Sequence, residues 1–249
     1  VTGSRRRYYR RSRSHGKPRR GMISRIVVFI LFLGIFFTLM NLMVIQGHLV
    51  RSESMNPLIP PGSRVLSSPI PFGSPLPFVN KTLPALREPR RGELVLLTPP
   101  GVEPLKWHGK ILDAALRFIT LQRLSLDPTL KKEWESRRVI KRVAALPGDT
   151  IRIRNYRVEV KTAGSAVFEG EQGFIPGFEP LMPDLPAGWD EDLPFHGDLP
   201  ETLIPPGHIF VLSDARGVGL DSLIWGVLPL DSLRATLLLR YWPWPPRLI

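Results

Sequence analysis

The chain has 249 residues, enough for one sizeable folded domain plus an appendage. It contains no cysteine, which excludes disulfides and thiolate metal sites, and its five histidines (15, 48, 108, 196 and 208) follow no ligand spacing, so neither a metal nor another cofactor is expected. Formal net charge is +12, but residues 1–21 hold eight Arg and one Lys without an acid, so the basic character belongs to a tail and not to a domain.

That tail, VTGSRRRYYRRSRSHGKPRRG, has two readings by itself. It could grip nucleic-acid phosphates, or it could flank a membrane anchor on the cytoplasmic side. The next segment favours the anchor. Residues 26–50, IVVFILFLGIFFTLMNLMVIQGHLV, carry no Asp, Glu, Lys or Arg. At 1.5 Å per residue about 20 helical residues cross a hydrocarbon core of ~30 Å. A soluble amphipathic helix would show a polar face, and this one has almost none. A cleavable secretory signal would have a shorter apolar core and a small-x-small site after it, whereas QGHLVRSES follows here. The expected organisation is a basic cytoplasmic tail (1–25), a single transmembrane helix (26–46) and an extracytoplasmic domain (47–249), oriented by the rule that basic flanks stay inside. The tail is then drawn to anionic lipid headgroups, and no specific nucleic-acid partner is expected.

In the outer part, short apolar runs alternate with turn signals. GELVLL (92–97), IFVLSD (209–214) and ATLLLRYW (235–242) read as strands. TIRIRNYRVEV (150–160) reads as two strands about a turn, with Ile151, Ile153, Val158 and Val160 on one face. LPGD (146–149) predicts a type II turn, Pro147 fixing φ and Gly148 supplying φ > 0. WHGKILDAALRFITLQRL (107–124) predicts a helix, because Leu112, Ala115, Leu116 and Ile119 recur at helical spacing. Residues 161–200, rich in Pro, Gly and acids, read as a loop-rich excursion. The expected fold class is mainly β, a β body with one helical insertion (insertions at about 101–136 and 161–203) behind a single N-terminal transmembrane helix.

Three segments could carry chemistry: Ser52-Glu53-Ser54-Met55-Asn56-Pro57, Lys141 to Asp149 (KRVAALPGD), and Ser213-Asp214-Ala215-Arg216 running on to Asp221-Ser222. A serine hydroxyl needs a base within hydrogen-bond reach. No histidine lies in a suggestive context. A lysine serves only with its amine neutral, which an apolar setting favours. Strand alternation puts Lys141 on the face of Val139 and Val143. Spacing alone leaves a surface lysine and a loop-capping serine open.

Together, in this order behind an anchor, the segments resemble those of type I signal peptidases, the membrane-anchored Ser–Lys endopeptidases. That family carries a Ser-x-Ser-Met-x-Pro box, a Gly-Asp-x-Val strand, a Lys-Arg-Val-x-Gly-x-Pro-Gly-Asp box and a Gly-Asp-Asn…Ser-x-Asp-Ser-Arg box. SESMNP, GELV, KRVAALPGD and SDARGVGLDSLIWG stand in their places. The resemblance covers roughly 22–60, 90–97, 139–153 and 204–240, and implies a signal-peptidase-like β body. It further implies Ser54 as nucleophile, Lys141 as general base and Ser52 as a donor to the oxyanion hole beside the Ser54 amide. Met55 would shape the wall near the scissile bond. Arg142, Pro147, Gly148 and Asp149 would be structural, and Asp214, Asp221 and Ser222 would support the site.

The last box departs from the family. Gly219 stands where the family's Ser orients the lysine amine, Leu223 where an Arg pairs with Asp221, Ala215 where Asn is expected and Ser213 where Gly is; Ala145 replaces Gly in the lysine box. Ser222, Ser213 or a water could stand in for the missing hydroxyl, and Arg216 is near Asp221 in sequence. The resemblance implies removal of signal peptides after small-x-small sites from exported preproteins at a bacterial inner membrane, with the bilayer and the secretion translocon as further partners. A peptidase dedicated to one pilin or conjugation substrate, or an impaired homologue acting as a signal-peptide-binding scaffold, stays open, as does a nucleic-acid role for the tail. PIPFGSPLPF (69–78) could dip toward lipid or belong to the core.

Overall fold

The computed structural model describes residues 20–76, 81–102, 106–120, 138–183 and 197–249. Most of the basic tail, the later part of the first insertion (121–137) and residues 184–196 of the second lie outside the described residues.

The apolar run forms helix α1, Arg20–Met43. Over residues 21–33 its side chains stand out from the protein, with Phe29 and Phe32 each 64% exposed, whereas Leu42 near its end is buried. Among the described residues it is the one helix long and apolar enough to cross a membrane. It closes where the amides of Val44 and Ile45 both bond to Met40 O, and strand β1 (Gln46–Leu49) follows at once.

Beyond it come β2 (Arg64–Ser68), β3 (Leu94–Leu97), helix α2 (Trp107–Ile119) and β4 (Val139–Ala145). The expected hairpin is β5 (Thr150–Arg154) and β6 (Arg157–Lys161), turning through Asn155 and Tyr156 at φ 47° and 61°, the positive values a two-residue hairpin turn requires. Short pieces follow: β7 (Glu169–Gly170), α3 (Glu171–Phe174) and β8 (Leu199–Leu203). The chain ends with β9 (His208–Leu212), α4 (Ser222–Trp225), β10 (Leu228–Pro229), β11 (Leu233–Trp242) and β12 (Arg247–Leu248). The fold is mainly β, as the patterning predicts. The predicted helix 107–124 ends at Ile119, with residues from 121 onward outside the described set.

The strands make two antiparallel sheets. One has eight strands in the order β1-β2-β11-β3-β4-β9-β10, with β12 on β11; the other runs β7-β6-β5-β8. Strand β3 explains why LVLL is apolar throughout. Leu94 and Leu96 join one core cluster with Val50, Met55 and Ile140, while Val95 and Leu97 join another with Val139, Val143 and Val211. A strand covered on both faces has no polar side to show. The second sheet buries Ile151, Ile153, Val158 and Val160 against Ala144, Ala145 and Phe210.

The LPGD turn joins the two sheets. Gly148 has φ 84°, and the Asp149 amide donates to Leu146 O at 3.1 Å, as a type II turn demands. The Asp149 carboxylate accepts from Leu146 N and, through both oxygens, from Arg91. The stretch at 69–78 is described as far as residue 76. Phe72 packs against the core, whereas Ile70 is partly exposed and, with Leu83 and Leu86, faces Phe36, Leu39 and Met43 of α1 across an apolar groove. Ser74 Oγ donates to Met43 O at 2.6 Å.

Candidate active site

Lys141 sits at the centre of β4 and is 0% exposed. Alternation places it between Val139 and Val143, whose side chains belong to one apolar cluster. The same face of β9 runs Ile209, Val211 and then Ser213, just past the strand end. Because Val143 pairs with Val211 across the antiparallel ladder, Lys141 comes level with Ser213. Lys141 Nζ donates to Ser213 Oγ at 3.0 Å, and both residues are fully buried.

Ser213 is itself held in place. Its amide donates to Asp221 Oδ2 at 3.0 Å. The other oxygen, Oδ1, accepts the Leu223 amide at 3.0 Å, so Asp221 caps α4 while it fixes Ser213. Two departures noted in the sequence thus find local hydrogen-bond partners. The hydroxyl absent at Gly219 is supplied to Lys141 by Ser213; the Ser222 hydroxyl is engaged elsewhere, accepting the Val211 amide at 3.0 Å. Asp221, without an Arg at 223, is satisfied by two backbone amides. Arg216 does not reach it but pairs with Glu171.

Ser54 lies in the turn-rich loop between β1 and β2 and is 2% exposed. Its carbonyl accepts the Ala215 amide at 2.9 Å, so Ser54 hangs on the loop that carries Lys141's partner, two residues away. The Ser52 hydroxyl accepts the Ser54 amide at 3.1 Å and donates to Ser54 Oγ at 3.0 Å. The two expected oxyanion donors are thus adjacent, but the amide is directed at Ser52. Stabilising an oxyanion requires the Ser52 side chain to turn and release it. Met55 is buried behind them, its carbonyl accepting from Ile59 N at 2.8 Å. A pocket of about 50 Å³ opens beside Ser52 and Ser54, walled by Val50, Met55, Leu96 and Ile140.

Arg142 points away from Lys141 and makes two bonds of 2.6 Å to Asp214, another of 2.7 Å to Gly92 O, and a stacking contact with Phe178 at 4.4 Å. Since Arg142 adjoins Lys141 and Asp214 adjoins Ser213, this buried pair clamps together the two backbone segments that present the amine and its acceptor. Further out, burial pushes the Glu171 carboxyl above the ordinary carboxylate range against the opposing pull of Arg216. Burial also pushes Glu93 upward, but the bonds it accepts from Arg87, Thr236 and the Arg90 amide outweigh that and hold it below the ordinary range. Among the described residues no three His, Asp or Glu side chains come together as metal ligands.

Sequence reasoning named Ser213 only as one of several possible substitutes. The alternation Ile209-Val211-Ser213 held the signal, but using it required knowing that β9 pairs with β4. Nothing in sequence singled out Arg91 or Glu171.

Comparison with known proteins places most of the chain beside one family. Residues 23–242 match the family described as signal peptidase, peptidase S26. The chain is 25% identical over 205 residues to a probable signal peptidase I-1 of Synechocystis sp., covering 82% of this chain and 75% of that one. It is 25% identical over 200 residues to signal peptidase I of Leptolyngbya laminosa, covering 80% and 70%. A crystal structure of a signal peptidase I from Enterococcus faecalis V583 aligns at 17% identity and a TM-score of 0.31, over 61% of this chain and 98% of the other, a superposition too loose to add weight. With a family match running from the apolar helix to the end of β11, the chain belongs to the signal peptidases of peptidase family S26, and is a serine peptidase of the signal peptidase I type.

Proposed function

We propose that this protein removes signal peptides from exported preproteins with Ser54 as nucleophile and Lys141 as general base, after sites with small residues at −1 and −3. The observation that carries this reading is the shared tether. Lys141 Nζ bonds to Ser213 Oγ, and two residues on, the Ala215 amide holds the Ser54 carbonyl. The amine and the hydroxyl are thereby drawn to one short loop inside the protein.

In the reaction, Ser54 Oγ attacks the scissile carbonyl and its proton passes to the neutral Lys141 amine. A neutral amine has two N–H groups and one lone pair. Donating to Ser213 fixes the rotation of the amine and so directs the lone pair. The tetrahedral oxyanion is met by the Ser54 amide and the Ser52 hydroxyl once Ser52 has turned; losing one such donor typically costs ~10²–10³ in rate. Collapse breaks the C–N bond, and Lys141 returns the proton to the leaving amine. Water, deprotonated by Lys141, then hydrolyses the acyl-enzyme. The pocket beside Ser54, at about 50 Å³, has room for a methyl-sized side chain, far below the roughly 300 Å³ at which drug-sized ligand sites begin, which supports a preference for small residues.

In this reading α1 spans the membrane, with residues 1–25 cytoplasmic and the body outside. Gln46 directly follows the helix, and its Oε1 accepts from Arg138 at 3.0 Å. Arg138 is three residues before Lys141, a distance of about 10 Å along an extended strand. The dyad therefore lies near the anchor's end, where a preprotein's cleavage site would leave its own apolar helix. The test is cleavage of a model preprotein bearing Ala-x-Ala, in liposomes, by wild type, Ser54→Ala and Lys141→Met. Turnover by wild type and background cleavage by both variants are expected. Undiminished turnover by either variant would refute the dyad, and an inactive, folded wild type would favour a binding scaffold.

A further inference from the structure

We propose that α2 lies in the plane of the membrane beside α1, with the face carrying Leu112 and Ile119 against lipid acyl chains. The inference rests on the reading of α1 as a membrane span. Its starting point is that α2 is inside-out for a helix in water. Leu112 and Ile119 are 61% and 76% exposed, while Asp113 is only 9% exposed. At about 100° per residue, positions 112 and 119 fall within ~20° of each other, and 113 lies about 100° away from Leu112. A water-soluble amphipathic helix turns its leucines inward and its acids outward. Here Leu112 and Ile119 face out, with Ala115 and Leu116 of the same stripe half-buried, and the acid faces in, the arrangement a hydrocarbon surrounding selects.

The surroundings of α2 identify that medium. The helix packs against α1, whose residues 22–33 expose a run of Ile, Val, Leu and Phe side chains. Whatever solvates α1 also reaches a helix lying on its flank, so the outward stripe of α2 continues the apolar surface of the anchor. A second element does the same at the end of α1, where Ile70, Leu83 and Leu86 face Phe36, Leu39 and Met43. The helix has 13 residues, a length of about 20 Å, too short to cross a core of ~30 Å. It therefore rests at the boundary, and the face that exposes Leu112 and Ile119 also exposes His108, one turn before Leu112. The insertion thus gives the protein an apolar foot beside its anchor, which restrains the tilt of the body over the bilayer.

The absence of native cysteine makes the test direct. Single nitroxide labels are placed through Leu112→Cys and Ile119→Cys in the full chain, reconstituted in phosphatidylethanolamine–phosphatidylglycerol vesicles. Phe32→Cys on α1 reports lipid, and Glu201→Cys on the exposed β8 reports water. Each labelled protein is first checked for preprotein cleavage, and the two α2 positions are read independently. The expected result is strong relaxation by oxygen and loss of collision with a water-soluble nickel chelate at 112 and 119, matching 32 and opposite to 201. Nickel collision at 112 and 119 equal to that at 201, with 32 still lipid-like, overturns the proposal and leaves the anchor intact. Nickel collision at 32 overturns the anchor reading and the proposal with it. Protection from both reagents at 112 and 119 means that protein, such as a second copy, covers the stripe, and overturns lipid as its occupant.

Discussion

Ser213→Ala removes one hydroxyl and tests whether that hydroxyl orients the Lys141 amine proposed as general base. In the folded chain Lys141 Nζ donates to Ser213 Oγ at 3.0 Å, with both residues at 0% exposure, so water cannot readily take its place. Depriving a buried polar group of a partner costs about 1–3 kcal/mol. If that cost falls on the transition state, where Lys141 must receive a proton along a set direction, kcat falls about 5- to 150-fold, since ~1.4 kcal/mol is a factor of ten. KM should change little, because the pocket beside Ser54 is walled by residues of β1, its following loop, β3 and β4, and Ser213 is not among them. Steady-state and single-turnover cleavage of a fluorescent preprotein peptide in detergent measures both constants, with far-UV circular dichroism as the check on folding. Adding Gly219→Ser to Ser213→Ala should not rescue the rate. Gly219 sits at φ 86°, where a side chain is strained, so a hydroxyl restored there carries a backbone cost. An unchanged kcat in Ser213→Ala would show that Lys141 is oriented without Ser213. A fall confined to KM would place Ser213 in substrate binding.

Two further outcomes follow from charges outside the dyad. Asp214→Ala leaves the Arg142 guanidinium buried without its carboxylate, which typically costs about 3–5 kcal/mol; the guanidinium unfolding midpoint in detergent should drop accordingly, and Arg142→Met with Asp214→Leu should recover much of the loss. A midpoint unchanged in Asp214→Ala would mean that Gly92 O and Phe178 suffice to hold Arg142. Glu93 has a folded-state pKa below its ordinary value, so its contribution to stability is present above the unfolded pKa of about 4.3 and is lost as pH falls through the lower folded value. Stability of wild type should therefore decline in acid below about pH 5, and Glu93→Gln should flatten that decline; parallel curves for the two proteins would sink the assignment.

Those features that depend on short-range pattern were readable from the sequence. α1 follows from an uninterrupted apolar run, β5 and β6 from period-two alternation about Asn155-Tyr156, and the turn before β5 from the φ demands of Pro147 and Gly148. Alternation also put Lys141 on the face of Val139 and Val143, but a surface lysine stayed open until the neighbouring strands and their cover were seen. The partners of charged groups were not readable. Arg142 meets Asp214 across 72 residues and Arg91 meets Asp149 across 58, and no local rule ranks those acids above others. For α2 the helix was readable but its orientation was not. Periodicity locates the two faces, and only packing shows that the leucine face is the outer one.

The hydroxyl beside Lys141 shows how a motif can look broken in sequence while a hydrogen-bond partner is present in space. Aligned by sequence, the last box loses a serine at 219 and gains one at 213, which reads as two unrelated changes. In space the requirement is an acceptor about 3 Å from one amine. Position 213 meets it, because it lies on the same face as Val211 and level with Lys141 across the ladder. Asp221, freed of an arginine at 223, then spends its second oxygen on the Ser213 amide and fixes that acceptor. The three departures at 213, 219 and 223 are thus mutually compensating.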